Sequence, residues 1–354
     1  MIYFLSFLVV LGILIFVHEF GHFIVARQLG VGVTKFSFGF GPKLAGIQRG
    51  ETEYLISAIP LGGYVKLVGE NDGDEVSPEE REKAFYQKPV WVKMAVVAAG
   101  PIGNLLFAFL VFWVVFLGGV PTLTPKIGDV MPDTPAARAG LKAGDTVVRV
   151  GERKITTWVE LADGIKASGA GKELPLTVRR GEEEIRVTVR PEVREGRTIF
   201  GEKVDGPKIG VVASTEVVQR RIGPVAAIGH AAEETGKIVR LTVLTVVKLV
   251  MRVIPTNTLG GPILIAKLAG DQARAGISPF VYFLGLLSVN LGILNLLPIP
   301  ILDGGHLLFF SIEALRRKPL TPQMRMMAQQ VGLAVILMLT ALVFYNDIAR
   351  LIAG

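Results

Sequence analysis

The first seventeen residues, Met1 to Val17, carry no charged side chain, and long apolar runs return three more times along the chain. About 20 mainly apolar residues are needed to cross a bilayer as a helix. The pattern predicts four transmembrane helices, at residues 1–26, 94–124, 276–303 and 326–350. Between the second and the third the pattern changes. From Lys126 to Glu192, short Val- and Ile-rich stretches such as Asp145 to Val150, Leu174 to Arg179 and Ile185 to Arg190 alternate with Gly-rich turns. This predicts a small soluble domain, mainly β, inserted at 125–213. Residues 214–275 are apolar but interrupted by Glu233, Glu234, Lys237, Arg240, Lys248 and Arg252. That charge density predicts amphipathic helices on the membrane surface rather than a further span. The expected fold class is an α-helical multi-pass membrane protein with an inserted soluble domain.

Composition agrees with this setting. Half of the 354 residues are apolar and 19% are charged, and the mean hydropathy of +0.49 is too high for a soluble chain of this length. The first span lacks a basic leading segment and runs straight on into polar residues, unlike a cleaved signal peptide. There are no cysteines, which excludes disulfides and thiolate metal ligands. Nine Lys and Arg lie from Arg27 to Lys93, and Arg316, Arg317, Lys318 and Arg325 lie between the third and fourth spans. Basic residues near membrane ends favour the cytoplasmic side. Both loops are therefore expected in the cytoplasm, with both termini and the soluble domain outside. These loops account for much of the net charge of +7. No nucleic-acid motif accompanies them, so no nucleic-acid partner is expected.

The chemistry lies at the end of the first span, in His18-Glu19-Phe20-Gly21-His22. Residues four apart stack on one helix face, so two imidazoles can point at one ion while Glu19 faces the same region. Hydrolytic zinc sites take three protein ligands and leave one position open. His18 and His22 are the expected Zn2+ ligands and Glu19 the general base. Ionisable groups at bilayer depth are costly without partners, which argues against a mere polar patch. The third ligand is expected at the end of the third span, in Asn295-Leu296-Leu297-Pro298-Ile299-Pro300-Ile301-Leu302-Asp303-Gly304-Gly305-His306. Its two prolines cannot continue a regular helix. Asp303 is the leading candidate and His306 the rival. The spans supply a check on this. With two crossings between them, the ends of spans one and three lie on one side of the membrane, whereas a fifth crossing near Leu241 to Ile254 would separate them.

Between spans one and two, within 27–93, Tyr54-Leu55-Ile56-Ser57 and Tyr64-Val65-Lys66-Leu67-Val68 flank Pro60-Leu61-Gly62-Gly63. They read as a membrane-associated hairpin whose edge, at Tyr64 and Val65, can pair with an unwound substrate. In the soluble domain, Val130-Met131-Pro132-Asp133-Thr134-Pro135-Ala136-Ala137 and Ala139-Gly140-Leu141-Lys142-Ala143-Gly144-Asp145 resemble the core of bacterial PDZ domains. Such domains bind peptide ends by adding a strand to a sheet edge. The alternative is a folded spacer or size filter.

Taken together, the HEFGH motif, Gly39-Phe40-Gly41-Pro42, Pro60-Leu61-Gly62-Gly63-Tyr64-Val65, Gly100-Pro101-Ile102-Gly103-Asn104 and the Asn295 to Gly305 run resemble the site-2 protease family, peptidase family M50. The resemblance implies zinc held by His18, His22 and Asp303, with Glu19 catalytic and Asn295, Pro298 and Pro300 shaping a substrate groove. It implies an intramembrane zinc endopeptidase of a bacterial inner membrane that cuts single-span proteins, such as an anti-sigma factor in a stress response or signal-peptide remnants. Membrane lipid, and a peptide C-terminus at the PDZ domain, are the other expected partners. The external segment has room for one PDZ domain where some relatives carry two. A PDZ adaptor with a structural metal and a metal transporter are the other readings of the residues. An intact glutamate beside the two histidines favours the protease.

Overall fold

The computed structural model describes residues 1–70, 76–197 and 203–353. Residues 71–75 of the expected cytoplasmic loop and 198–202 of the expected soluble domain lie outside them. In chain order the elements are helix α1 (Ile2–Gln28), strands β1 (Val33–Arg49) and β2 (Thr52–Leu67), and helix α2 (Val90–Leu117). Then come β3 (Val120–Leu123), β4 (Ile127–Val130), α3 (Pro135–Arg138), β5 (Thr146–Val150), β6 (Arg153–Lys154), α4 (Trp158–Ser168), β7 (Leu174–Arg180) and β8 (Glu183–Val189). β9 (Glu192–Arg197), β10 (Lys203–Lys208), β11 (Val211–Ala213) and β12 (Val217–Arg220) follow. The chain ends on α5 (Pro224–Val250), α6 (Pro262–Ala275), α7 (Ile277–Asn295), α8 (Asp303–Arg316) and α9 (Pro322–Ala353). It divides into two compact units, Met1–Val115 with Val225–Gly354, and Phe116–Pro224.

Among the described residues four helices, α1, α2, α7 and α9, are long and apolar enough to span a bilayer. Two depart from the hydropathy reading. The second begins at Val90 and stops at Leu117, because Gly118-Gly119 ends it, with Gly119 at φ 118°. The apolar residues beyond, Val120-Pro121-Thr122-Leu123, form β3 paired with β12, since an apolar run alone does not distinguish strand from helix. The third stops at Asn295, and Asp303 opens a separate helix, α8. The loop between them is pressed against the start of α8. A Cβ at Gly304 would lie 2.3 Å from the Leu296 and Leu297 carbonyl oxygens, and one at Gly305 2.3 Å from that of Ile299. The two glycines after Asp303 therefore set its position.

Small residues bring the spans together, as expected where lipid gives apolar surfaces no reason to associate. A Cβ at Gly21 of α1 would lie 2.3 Å from the Ala99 carbonyl oxygen of α2. α7 meets α2 through Gly285 at Phe112, Gly292 at the Pro101 carbonyl, and Ser288, whose hydroxyl donates to the Asn104 carbonyl at 2.8 Å. α5 and α6 are not among the spans, but neither is free of the bundle. Tyr282 and Asn290 of α7 meet Glu234 and Thr242 of α5, each at 2.6 Å, so the two helices run side by side in the same direction. The Tyr3 hydroxyl of α1 donates to Asp271 of α6. The buried Asp347 carboxylate of α9 accepts the Gly261, Ile263 and Leu264 amides at the start of α6. Most of the remaining apolar surface of α9 is uncovered by protein.

The strands between α1 and α2 form more than a local hairpin. The first half of β1 lies between two arms of β2: Phe36, Ser37 and Phe38 face Val65, Tyr64 and Gly63 on one side, and Tyr54, Leu55 and Ile56 on the other. The Gly63–Leu67 arm is left at the sheet edge. Phe40, Leu44, Ile47, Ile56 and Ile59 are exposed, a patch suited to lipid contact.

The middle unit is the inserted domain, mainly β. β6-β5-β7-β8 form an antiparallel sheet over a core containing Ile127, Val147, Leu161, Leu176, Val178 and Val189. Thr134 and Thr157 cap α3 and α4 by accepting the Ala137 and Glu160 amides. Asp145 is buried, which pushes its carboxyl up. Two hydrogen bonds from Arg180 and one from the Lys142 amide outweigh this and hold it below the usual carboxylate range.

Candidate metal centre

α1 places His18, Glu19 and His22 on one face, one turn apart, and the start of α8 brings Asp303 opposite. His18 Nε2 lies 3.0 Å from Asp303 Oδ2 and 3.2 Å from His22 Nε2, and His22 Nε2 lies 3.6 Å from Asp303 Oδ1. In a tetrahedral zinc site with bonds near 2.0–2.1 Å, ligand atoms sit about 3.3 Å apart. The three side chains fit that group. Asp303 Oδ2 is also buried without a hydrogen-bond partner, as an oxygen reserved for a cation would be.

The imidazoles are held from α2. His22 Nδ1 donates to the Val96 carbonyl at 2.8 Å, which leaves the Nε2 lone pair pointing inward. His18 Nδ1 faces the side-chain amide of Asn104 at 3.4 Å. α2 must come close to do this: a Cβ at Gly100 would lie 2.3 Å from His22 Nε2 and 2.8 Å from His18 Cε1. Glycine at 100 therefore keeps the space between the rings open. Val96, Gly100 and Asn104 were not identified as site residues from the sequence. The Gly100 to Asn104 motif was visible there, but as a family mark with no role.

Glu19 stands beside the three converging atoms. Its Oε2 accepts the Val65 amide at 3.1 Å, and the next outward amide of the same strand arm, at Leu67, is taken by Glu70 Oε2 at 3.2 Å. An open strand edge thus passes the carboxylate. A cavity of about 790 Å³ joins these groups, lined by His18, Glu19, His22 and Asp303, by Tyr64 and Val65, and along α8 by His306, Phe309 and Glu313. At its far end Glu313 bonds Arg325 at 2.5 Å, which ties α8 to α9.

The expected site residues are not all brought together. Asn295 reaches the centre, its Nδ2 3.4 Å from His18 Nε2, and Tyr64 stacks on Phe40 at the cavity wall. Pro298 and Pro300 do not line the cavity; Pro300 packs against Gly332 of α9. His306 lines the cavity, edge-on to Phe309, outside the group of three ligand atoms. His230 is on α5 and pairs with Glu233 at 4.0 Å.

A bundle of spans that closes around two histidines and an aspartate, with a glutamate alongside, defines the class of membrane metalloproteases. The model for peptidase family M50 matches residues 6–339, and the chain belongs to that family. It is a zinc metalloprotease of the site-2 type. A Mesorhizobium japonicum protein named as a zinc metalloprotease is 40% identical over 357 residues, covering 97% of both chains. The regulator of sigma-E protease RseP of Escherichia coli (strain K12) is 33% identical over 443 residues, covering 98% of both. That alignment is longer than this chain, so the relative contains stretches with no counterpart here. Part of the chain is also similar to the PDZ domain of the SdrC-like protein of Listeria monocytogenes, at 20% identity and a TM-score of 0.21, over 25% of this chain and 84% of that one.

Proposed function

We propose that this protein hydrolyses peptide bonds within the transmembrane segments of single-span proteins, with His18, His22 and Asp303 holding zinc and Glu19 handling the proton. The observation that carries the reading is the convergence of the three ligand atoms beside Glu19 and an open strand edge. Bound there, zinc would polarise the scissile carbonyl and acidify water.

The remaining steps belong to the chain. A transmembrane helix keeps its carbonyls hydrogen-bonded, so it must open before attack. The Gly63–Leu67 arm offers outward amides for an opened segment. Substrate carbonyls then take the Val65 and Leu67 amides in place of Glu19 and Glu70, which frees Glu19 for chemistry. Glu19 removes a proton from the attacking water as its oxygen bonds to the carbonyl carbon. When the C–N bond breaks, Glu19 delivers that proton to the leaving amine. Asn295, next to His18, is placed to donate to the developing oxyanion, a contribution typically of several kcal/mol.

The basic loops set the centre near the cytoplasmic side of a bacterial inner membrane, with the PDZ-like unit and both termini outside. Substrates on this reading are anti-sigma factors or signal-peptide remnants; the first is in keeping with a relative named as a regulator of sigma-E protease. The PDZ-like unit takes a peptide C-terminus or limits the size of the substrate's outer part.

The test is co-reconstitution in liposomes with a single-span reporter, with the fragments weighed by mass spectrometry. The expected result is a cut inside the apolar segment. Metal flux without any cut, or cuts confined to the soluble flanks, would contradict the reading.

A further inference from the structure

Asn104 is fully buried, 0% exposed, in the middle of an apolar span, where an amide is costly unless it has a partner. Its backbone already has a structural task, since the Ser288 hydroxyl of α7 donates to the Asn104 carbonyl at 2.8 Å. Any residue at 104 would supply that carbonyl. The side chain is therefore free for another role, and it faces His18 Nδ1 at 3.4 Å.

The protonation of His18 decides what that contact is. Its Nε2 faces Asp303 and His22, so for metal binding Nε2 must present a lone pair and Nδ1 must carry the proton. The complement of an Nδ1–H is an oxygen. Asn104 Oδ1 is buried with no hydrogen-bond partner. An amide's orientation follows its partners, and turning this one by half a revolution places Oδ1 on the His18 Nδ1 proton, which pairs that oxygen with the ring. His22 has the same arrangement one turn along, with the Val96 carbonyl as acceptor. α2 thus faces the two histidines with one acceptor each, one from the backbone and one from Asn104. Gly292 of α7 lies against the same stretch of α2, where an added Cβ would be 3.4 Å from Asn104 Cβ.

We infer that Asn104 is a positioning residue for the metal centre, fixing the tautomer and ring orientation of His18 through an Nδ1–H to Oδ1 hydrogen bond. This rests on the reading of His18 as a metal ligand. Supporting partners of this kind are typically worth about 10- to 100-fold in metal affinity.

The test measures zinc affinity of the full-length protein in detergent by competition with a chelator, together with the melting temperature of the metal-free protein. Asn104→Leu, similar in size but without an acceptor, should bind zinc about 10- to 100-fold more weakly, with the metal-free protein melting no lower than wild type. Asn104→Asp, which keeps an acceptor, should stay within a few-fold of wild type. If the leucine variant does not fold, Asn104→Ser, whose hydroxyl stops short of the ring, takes its place with the same expectation. Wild-type affinity in the leucine or serine variant would overturn the inference, as would an aspartate variant as weak as leucine. So would a drop in metal-free stability with unchanged affinity. Wild-type protein that takes up no zinc would overturn the metal reading along with it.

Discussion

Glu19→Gln is expected to keep one equivalent of zinc and to lose about 10²- to 10⁴-fold in cleavage, the range typical of a missing general base. Glutamine has the same shape and retains an oxygen for the Val65 amide, so the strand arm beside it should not move. Its carbonyl oxygen is too weak a base to accept a proton from water. Glu19 is not one of the three converging ligand atoms, so zinc should remain. Metal analysis and a time course of reporter cleavage on one preparation check both halves. Full activity in the variant would point to a structural metal in a protein whose role is not proteolysis.

Asp303→Asn is expected to lose zinc on dialysis, with cleavage lost in step. The carboxylate is the only anionic member of the set and the part that reaches both histidines, at 3.0 and 3.6 Å. An amide in its place offers a neutral, weaker oxygen. The fall in affinity should exceed the roughly 100-fold that a supporting residue costs. His306→Ala is the comparison that decides between the two candidates for third ligand. It should keep zinc, because His306 lies on the cavity wall outside the group of three. Zinc retained in Asp303→Asn and lost in His306→Ala would reverse the assignment.

How much of this was legible in the sequence depended on whether the signal was local. Four spans could be read from hydropathy because a bilayer demands long apolar runs. The end of the second could not, since the chain runs on without a charge as far as Lys126 and Val120 to Leu123 is drawn into a strand by Val217 to Arg220 almost a hundred residues away. HEFGH named two histidines and a base because four-residue spacing has one meaning on a helix. Two prolines marked the broken helix that carries Asp303 and His306, and Asp303 was preferred because a carboxylate readily completes a two-histidine zinc site and because the family resemblance implies it. Asn104 and Gly100 could not, because a single amide or glycine on an apolar helix carries no sign of which neighbour it faces.

The same limit applied to the strands and to α5. Tyr54 to Val68 reads as a hairpin closed on itself, yet both arms pair with Val33 to Phe38, a contact set by chain geometry rather than by either arm. The charges of α5 suggested a helix lying on the membrane. That Glu234 and Thr242 have partners on α7, in Tyr282 and Asn290, is not written in those charges.

The most direct measurement of whether zinc at this centre carries the proteolysis is to remove the metal and return it. Full-length protein is stripped with a chelator, and cleavage of the single-span reporter is followed as zinc is added back in known amounts. Activity should vanish on stripping and return in proportion to bound zinc, reaching its full value at one equivalent. Stripped protein that still cuts, or metal uptake that restores nothing, would contradict it.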